Sequence, residues 1–186
     1  MDHDSAVALL HEYTQSQSLR KHGYTVAAAM EYYANKLGQD PVFWSITGLL
    51  HDFDYEKYPT MEEHPFVGCK ILKELGYPEE VTTAILGHAK YSGVARESLM
   101  AKALFACDEL CGLITAATYV RTDRDVRNLE VSSVKKKMKD KAFAKGVDRE
   151  DIRVGAAELE IELDEHIENV IQAIRLKAEE LGLAGK

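Results

Sequence analysis

The chain has 186 residues, enough for one domain with a sizeable core and too few for two comfortable ones. Acidic residues outnumber basic ones 31 to 23, for a formal net charge of −8, which argues against a protein that coats duplex nucleic acid. No run reaches the roughly 18 apolar residues of a membrane span, and the start Met1-Asp2-His3-Asp4 lacks the basic and apolar pattern of a secretory signal, so the expectation is a cytoplasmic protein without a membrane partner.

In chain order, the pattern predicts a short first helix over Ser5 to Gln15 and a second over Ser18 to Leu37, stopped by Gly38. Asp40-Pro41 is a start signal, with Asp as N-cap and Pro at the first helical position. The apolar stretch Val42 to Leu50 then runs into His51-Asp52, and a loop with Tyr55, Tyr58 and Pro59 follows. A fourth helix is predicted from His64 to Leu75, closed by Gly76; Pro78 opens a fifth carrying Val81, Ile85 and His88. Glu97 to about Tyr119 is long and apolar on one face. After Thr122 the chain turns basic (Val131 to Lys145), and a single long amphipathic helix is predicted from Ala156 to Leu181, with Leu159, Leu163, Ile167, Ile171 and Ile174 on its stripe. Alternating β-branched runs are almost absent. The expected fold is all-α: a single-domain helical bundle over residues 1–186, with a core at 18–120 and a C-terminal helical extension at 121–186.

The three cysteines have no framework spacing, so Cys69, Cys107 and Cys111 are expected to be buried free thiols. Chemistry concentrates in His22, His51, Asp52, His64, His88 and Asp108, spread over successive helices or helix ends of the first half. Neutral imidazole and carboxylate together suit divalent iron, manganese, zinc or nickel. Adjacent side chains diverge by about 100° on a helix, so a His-Asp doublet can embrace one ion or bridge to a second. Asp108 lies in a very apolar helix, where an unpaired carboxylate would cost several kcal/mol. His3, His11 and His166 lack such context and are expected at the surface or partly packed. There is no Gly-x-Ser-x-Gly elbow, no Gly-rich phosphate loop and no Cys-x-x-Cys pair.

The order His22, then His51-Asp52, then Asp108 within Ala106-Cys107-Asp108-Glu109-Leu110 resembles the HD-domain superfamily of metal-dependent phosphohydrolases. So do the phrases Gly48-Leu49-Leu50-His51-Asp52, His64-Pro65-Phe66-Val67-Gly68 and Ala84-Ile85-Leu86-Gly87-His88; the likeness covers about Leu19 to Ala116. It implies that His22, His51, Asp52 and Asp108 bind a first ion, that Asp52 bridges, and that His64 and His88 complete a second site, with one or two ions in all. In single-metal members the last two would bind phosphate or line the pocket. The implied activity is hydrolysis of a small phosphoester or phosphoanhydride, nucleotides and dinucleoside polyphosphates among the candidates. Two readings stay open beside it: a di-iron oxygenase using the same six ligands, and a non-catalytic metal- or nucleotide-binding signalling module.

Softer candidates surround the doublet. Asp54 and Glu56 lie where a carboxylate could assist proton transfer, so with Asp52 they form the catalytic set. Arg20, Lys90 and Arg96 are candidates for substrate phosphate, with Lys21 and Tyr91 nearby. Lys136 represents the basic run Lys135-Lys136-Lys137, Lys139 and Lys141, either a solvated face or a cationic lip. The final apolar stripe leaves a homodimer open.

Overall fold

The computed structural model describes residues 2–185. Among them are nine α-helices and no β-strand: α1 (His3–Tyr13), α2 (Gln17–Lys36), α3 (Pro41–Leu50), α4 (Phe66–Glu74), α5 (Glu79–His88), α6 (Leu99–Tyr119), α7 (Val131–Lys139), α8 (Arg149–Glu158) and α9 (Leu163–Leu176). The protein is all-α, as the absence of strand patterning predicts. No helix of the described residues is long and apolar enough to cross a membrane.

Helix starts follow local chemistry. Asp40 caps α3 by accepting the amides of Val42 (2.9 Å) and Phe43 (3.1 Å), with Pro41 at the first position; Ser98 caps α6 through Ala101 N–H (3.1 Å). Gly38 and Gly76, both at positive φ, end the segments after α2 and α4. α6 is the central post, buried along Met100, Leu104, Leu110 and Ile114 and packed against α2, α5, α7, α8 and α9. The tightest pairing is α2 on α3. A Cβ at Gly48 would lie 2.9 Å from Met30 Cγ and 3.0 Å from Val26 O, so only glycine lets these helices approach closely enough to set His22 beside His51.

The C-terminal part differs from the sequence expectation. In place of one helix from Ala156 to Leu181 the chain forms α8 and α9, broken at 159–162. Glu160 takes φ +57°, Glu160 N–H reaches Ala157 O (3.0 Å) and Ile161 N–H reaches Ala156 O (3.1 Å). That is a Schellman ending with glutamate where glycine is usual. The apolar period runs through the break unchanged, so periodicity alone could not reveal it. The basic run forms the outer face of α7, whose Val134 and Met138 are buried; Lys135 pairs with Asp164 (2.7 Å) and Lys137 lies 4.4 Å over the Phe143 ring. It is a solvated helix face.

Candidate metal centre

His51 caps the C-terminal end of α3 and has no exposed surface. Its Nδ1–H donates to Gly48 O at 2.7 Å, which turns Nε2 inward. There Nε2 faces Asp52 Oδ2 at 3.5 Å and Asp108 Oδ1 at 3.4 Å, and it is a buried atom without a hydrogen-bond partner. His22, from α2, places Nε2 2.9 Å from Asp108 Oδ1, and the His22 and His51 rings meet edge to face with centroids 5.0 Å apart.

A second group lies alongside. His88, at the end of α5, donates Nδ1–H to Ile85 O, and His64, just before α4, donates Nδ1–H to Asp54 Oδ1 at 2.8 Å. Their Nε2 atoms lie 3.3 and 3.2 Å from the same oxygen, Asp52 Oδ1. Asp52 therefore turns one oxygen to His51 and the other to His64 and His88. Within each set, His22–His51–Asp108 and Asp52–His64–His88, the candidate donor atoms all lie within 4.8 Å of one another.

The chemistry of these six groups fits a cation. With Nδ1–H spent outward on an oxygen, Nε2 of His51, His64 and His88 faces a carboxylate favourably only when a proton or a cation lies between them. Such an arrangement draws positive charge. Burial opposes protonation of His64, but hydrogen bonds to Asp52 and Asp54 outweigh it and raise it to about 9. Burial likewise opposes the charge on Asp52 and Asp108, yet the neighbouring imidazoles hold both well below the usual carboxylate range, and the two carboxylates raise His51 despite its burial.

Asp54 has a different role from the expected proton transfer. It is 1% exposed, and both oxygens are engaged: Oδ1 with His64 and Oδ2 with Gly68 N–H at 2.8 Å. A Cβ at Gly68 would sit 2.6 Å from Asp54 Cγ, so glycine is required there to seat the carboxylate that aims His64. Glu56, the other proton-transfer candidate, is not among the residues lining the cleft: its Oε2 accepts from Gln15 N–H (2.6 Å) and Ser16 N–H (3.0 Å), fixing the α1–α2 turn.

The centre opens into a cleft of 510 Å³. Of the substrate candidates, Lys90 and Tyr91 line it. Lys90 Nζ is held by Asp151 (2.6 Å) and Asp148 (3.2 Å), and Tyr91 O–H donates to His64 O (2.9 Å). Arg20 is turned away, bonded to Thr14 O (2.6 Å) and His11 O (3.1 Å). Arg96 forms a two-pronged pair with Glu158 (2.7 and 2.6 Å) and lies 3.7 Å over the Phe105 ring. Lys136, on α7, is not among the residues lining the cleft.

Several lining residues escaped the sequence reading. Tyr55 lies edge-on to His64, with ring centroids 5.2 Å apart. Glu109 follows Asp108, and burial, reinforced by Asp108, pushes its carboxyl up to about 7. A second carboxylate inside an apolar helix was the available signal. Gly146, Val147, Asp148 and Asp151 form the far wall, brought there by tertiary docking of α8, for which the sequence carries no local mark.

The remaining titratable groups are structural. His166 is fully buried, contrary to the surface or partly packed expectation: Nε2–H donates to Ala106 O (2.8 Å), Nδ1 accepts from Tyr33 O–H (2.7 Å), and burial lowers its pKa to about 4. His3 and His11 are exposed. All three cysteines are buried free thiols.

The chain matches a protein-family model described as HD domain over residues 19–113, a span containing all six candidate donors. Neither the curated proteins nor the solved structures yield a match.

Proposed function

Since the chain belongs to the HD-domain family, whose superfamily consists mostly of metal-dependent hydrolases, we propose that it hydrolyses a small phosphoester or phosphoanhydride with one or two divalent ions held by His22, His51, Asp52, His64, His88 and Asp108. The observation that carries this reading is the buried, partnerless Nε2 of His51, aimed at two carboxylates at the floor of an open cleft. A buried polar atom left without a partner costs roughly 1–3 kcal/mol, a cost a bound cation would remove.

Divalent ions there would lower the pKa of water and offset charge on phosphate oxygens. The protein's own part is positioning. The carbonyls of Gly48 and Ile85 and the Asp54 carboxylate fix three imidazoles in one tautomer, so the donors need little rearrangement on binding. Tyr91 ties the backbone of His64 to the cleft wall. Lys90 is the candidate of the expected substrate set that reaches the cleft; a phosphate would compete for it with Asp148 and Asp151.

The test is metal analysis of protein purified without chelator, followed by phosphate release from monoesters, diesters and anhydrides with iron, manganese, zinc or nickel. One or two ions per chain and release from at least one substrate are expected. Less than one ion per chain would overturn the reading. Substrate-dependent O₂ uptake with a mixed-valence EPR signal, in place of phosphate release, would transfer the site to oxygenase chemistry.

A further inference from the structure

A second cavity, of 430 Å³, lies between α2 and α6 and shares His22 and Gly112 with the metal cleft. Its α6 wall is Gly112, Thr115, Ala116 and Tyr119. With Asp108 these residues form one stripe at helical spacing, which leads away from a metal donor along the helix face. The α2 wall, Gln17, Ser18 and Lys21, leads in the same way from His22. The cavity is therefore a direct continuation of the metal centre.

The two exits from the centre differ in charge. The lip formed with α8 carries Glu109, Asp148 and Asp151, with Lys90 already engaged by the last two. Besides His22, the cavity between α2 and α6 has Lys21 as its one ionisable cation and no carboxylate among its lining residues. Lys21 Nζ is bonded to Tyr119 Oη at 2.8 Å and lies 5.4 Å from the centre of that ring. Further phosphates would meet acidic groups on one side and a mainly uncharged wall on the other. An uncharged, mainly apolar group is matched better by the second.

We infer that the cavity between α2 and α6 is the subsite for an uncharged, mainly apolar organic group of a substrate that carries a single phosphate at the metal centre. Ala116 and Gly112 determine specificity: Ala116 sets the depth, and Gly112 keeps the junction open. A Cβ at Gly112 would meet only Val147 Cγ2, at 3.7 Å, so a longer side chain there grows into the junction. The inference rests on the phosphohydrolase reading for the position of the phosphate.

The experiment measures binding to the full chain carrying the ions with which it is purified. The probes are 1-naphthylmethylphosphonate, methylphosphonate and pyrophosphate, read by naphthyl fluorescence or calorimetry. The naphthyl compound is expected to bind at least tenfold more tightly than either other probe. Ala116→Trp and Gly112→Leu should each cut that preference at least tenfold while ion content and melting temperature hold. A wild-type preference near one, tighter binding of pyrophosphate, or a preference that survives both variants would overturn the subsite. Should one variant lose its ions, the wild-type ratio and the other variant decide. Naphthyl binding without phosphate release from 1-naphthylmethyl phosphate or from any ester or anhydride of the panel would sink the hydrolase reading alone. Release with equal kcat/KM from that ester and from methyl phosphate would sink the subsite alone.

Discussion

His51 and His166 are both wholly buried in helical surroundings, and they are opposites. His166 sits at the seam of α2, α6 and α9 with each ring nitrogen engaged, one by Tyr33 and one by Ala106. His51 has one nitrogen engaged and the other aimed at two carboxylates across a cleft floor. Burial alone thus says little about a histidine's role. What separates a structural ring from a ligand is whether its second nitrogen is satisfied, and by what. The same contrast divides the molecule: the seam satisfies its polar groups internally, whereas the cage sets ring nitrogens against carboxylates that need a positive charge between them.

The largest effect expected from this contrast is at Asp52, which belongs to the set with His64 and His88 and turns its other oxygen to His51. Asp52→Ala should abolish metal binding in plasma mass spectrometry and reduce turnover at least a thousandfold, with the helical circular dichroism spectrum retained; full activity would refute the cage. His166→Ala should do the reverse. It leaves Tyr33 O–H without an acceptor, with only the 3.3 Å bond from Asn169 remaining on its oxygen, and opens a cavity beside Ala106, so chemical denaturation should show a loss of roughly 3 kcal/mol with ion content unchanged. His166 also predicts a pH dependence. Its pKa falls from 6.5 in the unfolded chain to about 4 in the fold. Above 6.5 neither state is protonated and stability is unaffected. Between 6.5 and 4 the unfolded chain takes up the proton first, so His166 withdraws about 3 kcal/mol across that window; a variant retaining a neutral acceptor, His166→Gln, should flatten the titration of stability.

A smaller change is expected at Asp54, which aims His64 from outside the donor set. Asp54→Asn should weaken metal affinity about 10- to 100-fold, measured by chelator competition, without the complete loss seen at Asp52. An equal loss at both positions would erase the distinction between donor and positioning residue. Lys136→Ala, on the solvated face of α7, should leave both ion content and turnover unchanged.

Most helix limits were legible in the sequence because caps and breakers act locally: Asp40-Pro41 and the two positive-φ glycines lie where helices start and stop. The six candidate donors were legible because their order and surrounding phrases resemble the HD superfamily, and Asp108 also because an unpaired carboxylate in an apolar helix is costly. The α8–α9 break was not, since Glu160 adopts a conformation that glycine would have announced. Of the substrate candidates, Lys90 reaches the cleft and Arg20 does not, for a geometric reason. Arg20 stands two positions before His22, about 200° around the helix, so nearness in sequence put it on the far side. Asp54 and Glu56 were read as proton-transfer candidates because their partners, Gly68 and the α1–α2 turn, are distant in sequence.

The far lip of the cleft, Gly146 to Asp151, comes from beyond the stretch 19–113 that carries every donor. One wall of the entrance is therefore written outside the stretch that carries the candidate donors, linked across the opening by the two carboxylate contacts of Lys90. The entrance can drift in size and charge while the machinery beneath it stays fixed, so one unchanged cage could serve different guests.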